Sequence, residues 1–525
     1  MAPVLLLIVY LVGHLLLFWL RPGHYALLEI GLQLAVLLPV LRSVARGGIP
    51  RIPGWLLGAG IGAFVAGGLW TSHALMQGRL YGGDEYSYRF QGSIFASGHV
   101  SAPAPAVPVF FEHHIMAGGR WLTMFPPGWP AVLAVASAAG LAPVVNVLLG
   151  ALTLAIVFRI ARRLYSEQEA RLALFLMLFS PYFFGNCLGE MSHPLCGLLL
   201  AAATLFYFRA AGGGGAWNTA AMLAAGGAAT LVRPLTGALF AAILGIALLC
   251  QAQHQRLRLA QTAALCGLFG LLTIGANAAY NKAATGDYFW FPYAMIDGGR
   301  VPSEVKPEPV AVATNLRWGP MSLWIFGFPL LIPAAVWALW QNREKRGEAV
   351  LLAALLLSLV AGYAPNRYSS GSFIGERFYF EAFFVLPLLG ARGLAAMAGR
   401  HAGGGQRMSL YLGALAAGSM ATLVLTLPLM FREAAPYAAV RAVAERTALR
   451  DAVVFLEPHE PEFIPKHFNL NTAEWSSAPV FFAPDPGAAG RPEVAQKLGR
   501  SVWAVLSYDP SGGAARLSPA APVTH

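Results

Sequence analysis

Gly82-Gly83-Asp84-Glu85 places two adjacent carboxylates directly after a long apolar run. A carboxylate pair at such a boundary can take a proton from a hydroxyl or hold a divalent cation. The same residues also suit a helix start: Asp84 can cap a short surface helix running to Ser97, with Phe90 and Ile94 on its apolar face and Gly98 ending it. The two readings are compatible, because a cap fixes its carboxylate in place. Glu190, Ser192 and His193 form a second polar group in Gly189-Glu190-Met191-Ser192-His193-Pro194, a tight turn between two apolar runs. A histidine at a helix end is commonly structural, but Glu190 beside it suits a site. Arg233 precedes Pro234 where the connection between two runs is almost absent. An ionisable group at that depth either faces a protein-lined cavity or snorkels to the interface. Arg377 lies in the glycine-bearing loop Asn366 to Arg377, and its guanidinium matches a pair of phosphate oxygens or belongs to a solvated loop. Asp84, Glu190 and His193 are the candidate ligands for a divalent cation such as Mg or Mn, and Tyr293 is a further substrate-binding candidate.

These residues are carried between apolar runs. Of the 525 residues, 57% are hydrophobic and 12% charged, and the mean hydropathy is +0.58, so water is not the main solvent of this chain. Runs of about 15 to 22 apolar residues recur from Val4 to Met430 and read as about 13 membrane helices. The first lacks the basic start and small-residue cleavage site of a signal peptide, so it reads as a retained span. Lys and Arg concentrate in one of the two alternating sets of connections, which holds Arg42, Arg46, Arg51, Arg159, Arg162, Arg163, Arg171, Arg209, Arg256, Arg258, Arg343, Lys345, Arg346, Arg392, Arg400 and Arg407. The positive-inside rule makes that set cytoplasmic. The N-terminus is then inside, and the long loops 76–143 and 281–320 and the C-terminal segment are outside. Asp84, Glu85, Glu190, His193, Arg233 and Arg377 all fall on that outer face. The formal charge of +11 follows from this sidedness and does not point to nucleic acid. Cys187, Cys196, Cys250 and Cys266 lie in or beside the runs with neither a disulfide framework nor zinc spacing.

The expected organisation is two leading membrane helices (1–54), a membrane core (55–431), a small extracytoplasmic α/β unit (432–510) and a disordered tail (511–525). Ala452 to Leu456, Val480 to Phe482 and Val502 to Leu506 read as strands, Ala438 to Leu449 and Glu493 to Leu498 as helices. The tail is Pro/Ala/Gly/Ser-rich, hence the expectation of disorder.

Over Tyr81 to Leu394 the chain resembles the GT-C superfamily of membrane glycosyltransferases, in particular its bacterial branch related to dolichyl-phosphate-mannose protein mannosyltransferases. The likeness rests on Gly83-Asp84-Glu85, Gly119-Arg120-Trp121 with Phe125 to Pro130, and Ser180-Pro181 followed by Met191-Ser192-His193-Pro194. It continues through Arg233-Pro234, Tyr280-Asn281 with Thr285-Gly286-Asp287, and Gly375-Glu376-Arg377-Phe378-Tyr379 followed by Ala391-Arg392-Gly393-Leu394. The resemblance implies a GT-C-type, all-α polytopic protein of the bacterial inner membrane, here with the C-terminal α/β appendage outside it. It implies inverting transfer of a sugar from a polyprenyl-phosphate donor to an envelope lipid, glycan or protein acceptor. Asp84, with Glu85 beside it, holds the position of the catalytic base, and Arg233 and Arg377 suit the departing phosphate. Several relatives carry an Asp where this chain has Glu190 and His193, which leaves the metal open. The competing expectations are a transporter or flippase of lipid-linked saccharides, needing a polar path for which Glu29, Gln33 and His73 are too few, and a lipid-binding scaffold without catalysis. No glycine-rich nucleotide-binding motif occurs, which argues against a nucleotide-sugar donor.

Overall fold

The computed structural model describes residues 8–13, 22–37, 39, 41, 49, 51–75, 80, 83–107, 109, 111–295, 309–341, 346–366, 371–372, 375–398 and 406–523. Among them, seven helices are long and apolar enough to cross a membrane, from Gly54–Ala74 to Gln406–Arg432. An eighth crossing results if Pro309–Phe326 and Leu331–Gln341, bent by 103°, form one broken span. The expected 13 came from counting every apolar run. Several of those runs form shorter helices, Glu167–Leu178 of 12 residues, Ala216–Val232 of 17 and Val385–Ala398 of 14, and most of the run Val4 to Leu20 lies outside the described residues.

The spans have two chemically distinct ends. Arg162 and Arg163 sit in the last turn of Val145–Leu164, and Arg209 in the last turn of His193–Ala211, where a cation complements the carbonyl-rich helix end. Arg163 donates to the Phe208 carbonyl and Arg258 to the Ala210 carbonyl, so these arginines share one end of the bundle. A reciprocal cap between Ser166 and Glu169 starts the next helix there, and Arg392 joins Glu169 at 2.8 Å. His193 opens the helix whose last turn carries Arg209, and Arg233 lies between the helices Ala216–Val232 and Pro234–Ala252. Four arginines of the set read as cytoplasmic, Arg162, Arg163, Arg209 and Arg258, thus lie near one another.

Glu29 and Gln33 do not mark a path. Tyr10 Oη and Gln33 Nε2 donate to the Glu29 carboxylate at 2.9 and 3.0 Å. Gln33 Oε1 in turn accepts from Trp324 Nε1 and the Leu330 backbone. Glu29 thereby joins the first two helices through Tyr10, and Gln33 joins the second to Trp324 and Leu330.

Between the first two spans of the core lies a helix, Gly83–Ala96, and a three-stranded antiparallel sheet of β1 (Ala102–Pro103), β2 (His114–Ala117) and β3 (Arg120–Thr123), with β3 in the middle. The helix starts at Gly83, so Asp84 lies within its first turn, not at its cap. Gly98 at φ 80° ends it as expected, with His99 N–H reaching back to the Ile94 carbonyl. Much later β4 (Gly371–Ser372) pairs antiparallel with β5 (Gly375–Glu376), where Gly375 has φ 102°, which an L side chain would strain.

The last membrane helix continues unbroken to Arg446, 41 residues and about 60 Å in all. It thereby absorbs the separate helix expected at Ala438 to Leu449. Beyond it, β6 (Ala452–Leu456) is flanked by β7 (Val480–Pro484) and β8 (Val502–Asp509), all parallel and joined in part by the helix Arg491–Lys497. These are the expected strands. The tail is a correction: β9 (Ala514–Leu517) and β10 (Ala521–Pro522) pair antiparallel to β8. Composition suggested disorder, but an open edge of β8 offers unpaired backbone groups that Ala514 to Pro522 satisfy.

This unit is not peripheral. Phe90, Ile94, Phe111 and Trp121 of the first loop share one buried core with Phe455, Phe481 and Trp475. Tyr86, one turn before Phe90 on the Gly83–Ala96 helix, packs edge-on against Phe468 at 4.7 Å and joins the Tyr437 and Phe463 cluster.

Candidate active site

At the mouth of the bundle, the Asp84 carboxylate is held from two sides. Arg377 Nη2 donates to Oδ2 at 2.7 Å and His113 Nε2 to Oδ1 at 3.0 Å. The three side chains are 18, 29 and 23% exposed, which leaves room for a ligand to reach them. Burial by itself would raise the Asp84 carboxyl. The Arg377 charge, the His113 hydrogen bond and the further positive charge around them outweigh it and hold Asp84 well below the usual carboxylate range. Arg377 also approaches Met191 Sδ at 3.9 Å, which places the Gly189–Pro194 turn beside Asp84.

Beneath lies a second, closed group. Glu381 Oε1 accepts from His193 Nδ1 at 2.8 Å and meets Arg233 Nε at 2.7 Å, an ion contact off the hydrogen-bonding angle. Since a carboxylate only accepts here, His193 carries its proton on Nδ1, and Nε2 has no partner among the described residues. Arg233 also donates to Ser192 Oγ at 3.4 Å and Tyr363 Oη at 3.2 Å. Its guanidinium lies 5.2 Å from the Phe378 ring, which stacks on Tyr363. Tyr88 Oη shares Ser192 Oγ at 3.1 Å, and burial pushes that phenol up to about 12, so it stays neutral.

Two acidic candidates turn out to be braces. Glu85 is fully buried and accepts the Glu190 backbone N–H. Glu190, 1% exposed, is clasped through both oxygens by Arg89, with Nε to Oε2 at 2.6 Å. Trp129 Nε1 donates to the Glu190 carbonyl, and Asn146 Nδ2 bridges the Gly189 and Met191 carbonyls, so the turn is held along its length. A buried carboxylate with such partners fixes backbone and does not face solvent.

The sequence-level candidates therefore separate. Asp84 and Arg377 meet directly, His193 and Arg233 meet through Glu381, and Glu85 and Glu190 stabilise the turn between them. Asp84, Glu190 and His193 are each engaged with a different partner, and among the described residues no three His, Cys, Asp or Glu side chains gather as a cation cage. Tyr293 lies in the 3-10 turn Pro292–Met295, 48% exposed, beside the exposed aromatics Tyr288 to Phe291. Cys187 and Cys196 are buried free thiols. Sequence reading missed Glu381, Arg89 and His113. Glu381 had a signal, a lone carboxylate in the apolar run Phe378 to Leu389, which at membrane depth marks a functional or paired group. His113, in a His-His pair of an outer loop, had none.

Residues 134–280 match the dolichyl-phosphate-mannose-protein mannosyltransferase family. No curated protein matches the chain in sequence. Among solved structures, ArnT from Cupriavidus metallidurans bound to undecaprenyl phosphate superposes with a TM-score of 0.55 at 15% identity, over 88% of this chain and 94% of that one. The archaeal oligosaccharyltransferase AglB from Archaeoglobus fulgidus, in complex with an inhibitory peptide and a dolichol-phosphate, does so at 0.51 and 13% identity, over 82% of this chain and 66% of that one. At such identities the likeness is one of fold. With the apolar helices, it makes the chain a multi-pass membrane protein with a fold similar to that of these two transferases.

Proposed function

We propose that this protein is an inverting glycosyltransferase that moves a sugar from a polyprenyl-phosphate donor to an envelope lipid, glycan or protein acceptor on the extracytoplasmic face. The observation that carries the reading is the meeting of Asp84 and Arg377 at 2.7 Å, a base and a phosphate-binding cation side by side and partly open, with Arg233 in the layer below. That ArnT and AglB were solved with a polyprenyl phosphate supports a lipid-linked donor.

In the Asp84–Arg377 pair the carboxylate is a poor base, because the guanidinium stabilises its charge. A donor phosphate arriving at the same place competes for Arg377. As Arg377 turns to the phosphate oxygens, Asp84 loses its neutralising partner and becomes basic enough to take the acceptor hydroxyl proton. The acceptor oxygen then bonds to the sugar anomeric carbon from the face opposite the phosphate. The carbon–oxygen bond to phosphate breaks, and its electron pair leaves on the polyprenyl phosphate, whose charge Arg377 stabilises with Arg233. A divalent cation, if used, would be held by Asp84, since Glu190 is clasped by Arg89, and would supply positive charge for the departing phosphate.

With the arginine-rich end of the bundle cytoplasmic, the site faces outward in the inner membrane, where a polyprenyl tail lies along the spans and its phosphate stays near the headgroups. The purified protein, given envelope acceptor extracts, should transfer sugar from polyprenyl-phosphate sugars and none from UDP- or GDP-sugars. Transfer from nucleotide sugars alone overturns the donor assignment.

A further inference from the structure

His113 is held in an unusual way. Its backbone is left-handed, at φ 65°, a conformation uncommon outside Gly, although His, Asn and Asp adopt it more readily than other side chains. That conformation points the imidazole at Asp84 Oδ1, while the following residue, His114, turns inward to accept from Trp121 Nε1 at 3.1 Å and to contact Ser87 Oγ at 3.2 Å. The turn carrying His113 is fastened from the C-terminal unit. Glu112 N–H donates to the Lys466 carbonyl at 2.8 Å, and the Glu112 carboxylate accepts from His467 Nε2. His467 also abuts the start of the Asp84 helix: a methyl group placed on Gly83 would come within 3.2 Å of its Cβ. The same unit touches that helix and loop again, where Ala473 N–H donates to Ser93 Oγ at 3.1 Å and Trp475 Nε1 to the Pro103 carbonyl at 2.8 Å. One element of the fold thus fixes both Asp84 and the turn that presents His113 to it.

We propose that the C-terminal α/β unit belongs to the catalytic apparatus: through Lys466, His467 and Glu112 it clamps the 111–114 turn, so that His113 pins one oxygen of Asp84 while the other is exchanged between Arg377 and the acceptor. His113, Glu112 and His467 are positioning residues. Arg377 holds Asp84 only until the donor phosphate draws it away, and without His113 the carboxylate would then rotate freely about its last bond. With Oδ1 held at 3.0 Å by His113, Oδ2 stays directed at the place Arg377 vacates. This assignment rests on the reading of Asp84 as general base.

The test uses the full-length protein and a polyprenyl-phosphate sugar, with wild type and Asp84→Asn run beside each variant. His113→Gly removes the imidazole and relieves the left-handed backbone, so a merely structural role predicts equal or higher thermal stability and unchanged turnover. The positioning role predicts that stability but a kcat lower by about tenfold or more, since misplacing a catalytic group is costly in rate, with donor KM within about twofold. His113→Asn, which tolerates the backbone and keeps an N–H donor, should recover part of the loss. Glu112→Ala, His467→Ala and the double variant should lower kcat by the same factor, because the two side chains act as one contact. Wild-type kcat in His113→Gly, or in the Glu112 and His467 variants, overturns the proposal while an inactive Asp84→Asn leaves the catalytic reading intact. A wild-type protein inert toward every polyprenyl-phosphate sugar removes both.

Discussion

Arg377 Nη2 lies 2.7 Å from Asp84 Oδ2 although 293 residues separate them in the chain. That pairing makes the ionisation of Asp84 depend on what else Arg377 binds, and it gives the first prediction. Asp84→Asn should fold and insert normally yet lose transfer by at least about a hundredfold, the usual scale of a general base. Initial rates on purified, monodisperse protein measure this. Turnover near wild type would take Asp84 out of the base role.

The two arginines should respond differently to Gln. Arg377 is partly open, so Arg377→Gln should slow transfer or weaken donor binding with little loss of stability. Arg233→Gln leaves the fully buried Glu381 carboxylate without its cation, with His193 still donating to it, and should lower thermal stability markedly. Adding Glu381→Gln should restore much of the stability without restoring transfer. Thermal unfolding alongside rates separates the cases, and a single Arg233→Gln as stable as wild type would contradict the buried pairing.

Acid should loosen the outer loop through His114. Burial, followed by the His113 charge, pushes its imidazole down to about 3, whereas in an unfolded chain it titrates near about 6.5. Between those values the unfolded state binds a proton that the folded state does not, so stability falls as pH drops through that window. Asp84, with a depressed pKa, contributes stability that is kept above about 4 and lost only at lower pH. Thermal midpoints from pH 7 to 4.5 should therefore decline in wild type and decline less steeply in His114→Gln. An equal slope in both would assign the acid response elsewhere.

The C-terminal unit should lie outside the cytoplasm. A reporter test has to respect the sheet, because a junction after Pro510 would cut β9 and β10 from β8. Alkaline phosphatase fused after His525 should be active, and green fluorescent protein at the same place dark. The reverse pattern would invert the topology and place the site on the cytoplasmic face.

Removing residues 511–525 should destabilise the unit, as β9 and β10 complete the pairing of β8. Protease sensitivity of the region after Arg446 should rise in the truncated protein. A truncation as resistant as wild type would return the tail to the dispensable role its composition suggested.

The sequence by itself determined what period and polarity can encode: a membrane solvent, helices of apolar residues, arginines gathered at one end of them, and the strands at Ala452, Val480 and Val502. These are local properties, set by a few neighbouring residues and their burial. It also marked Asp84, Arg233, His193 and Arg377 as residues of one face. Which of them touch was decided only by the tertiary structure, because an ion pair depends on where distant helices end. Arg377 met Asp84, whereas Glu85 and Glu190, equally acidic in the sequence, were drawn inward by the Glu190 backbone and Arg89 and became braces. Glu381 gained its meaning from Arg233 and His193, and His113 from a left-handed turn that no periodicity announces. The tail at 511–525 shows the same limit from the other side: its composition favours disorder, but an unpaired edge of β8 offered its backbone hydrogen bonds that outweighed that preference.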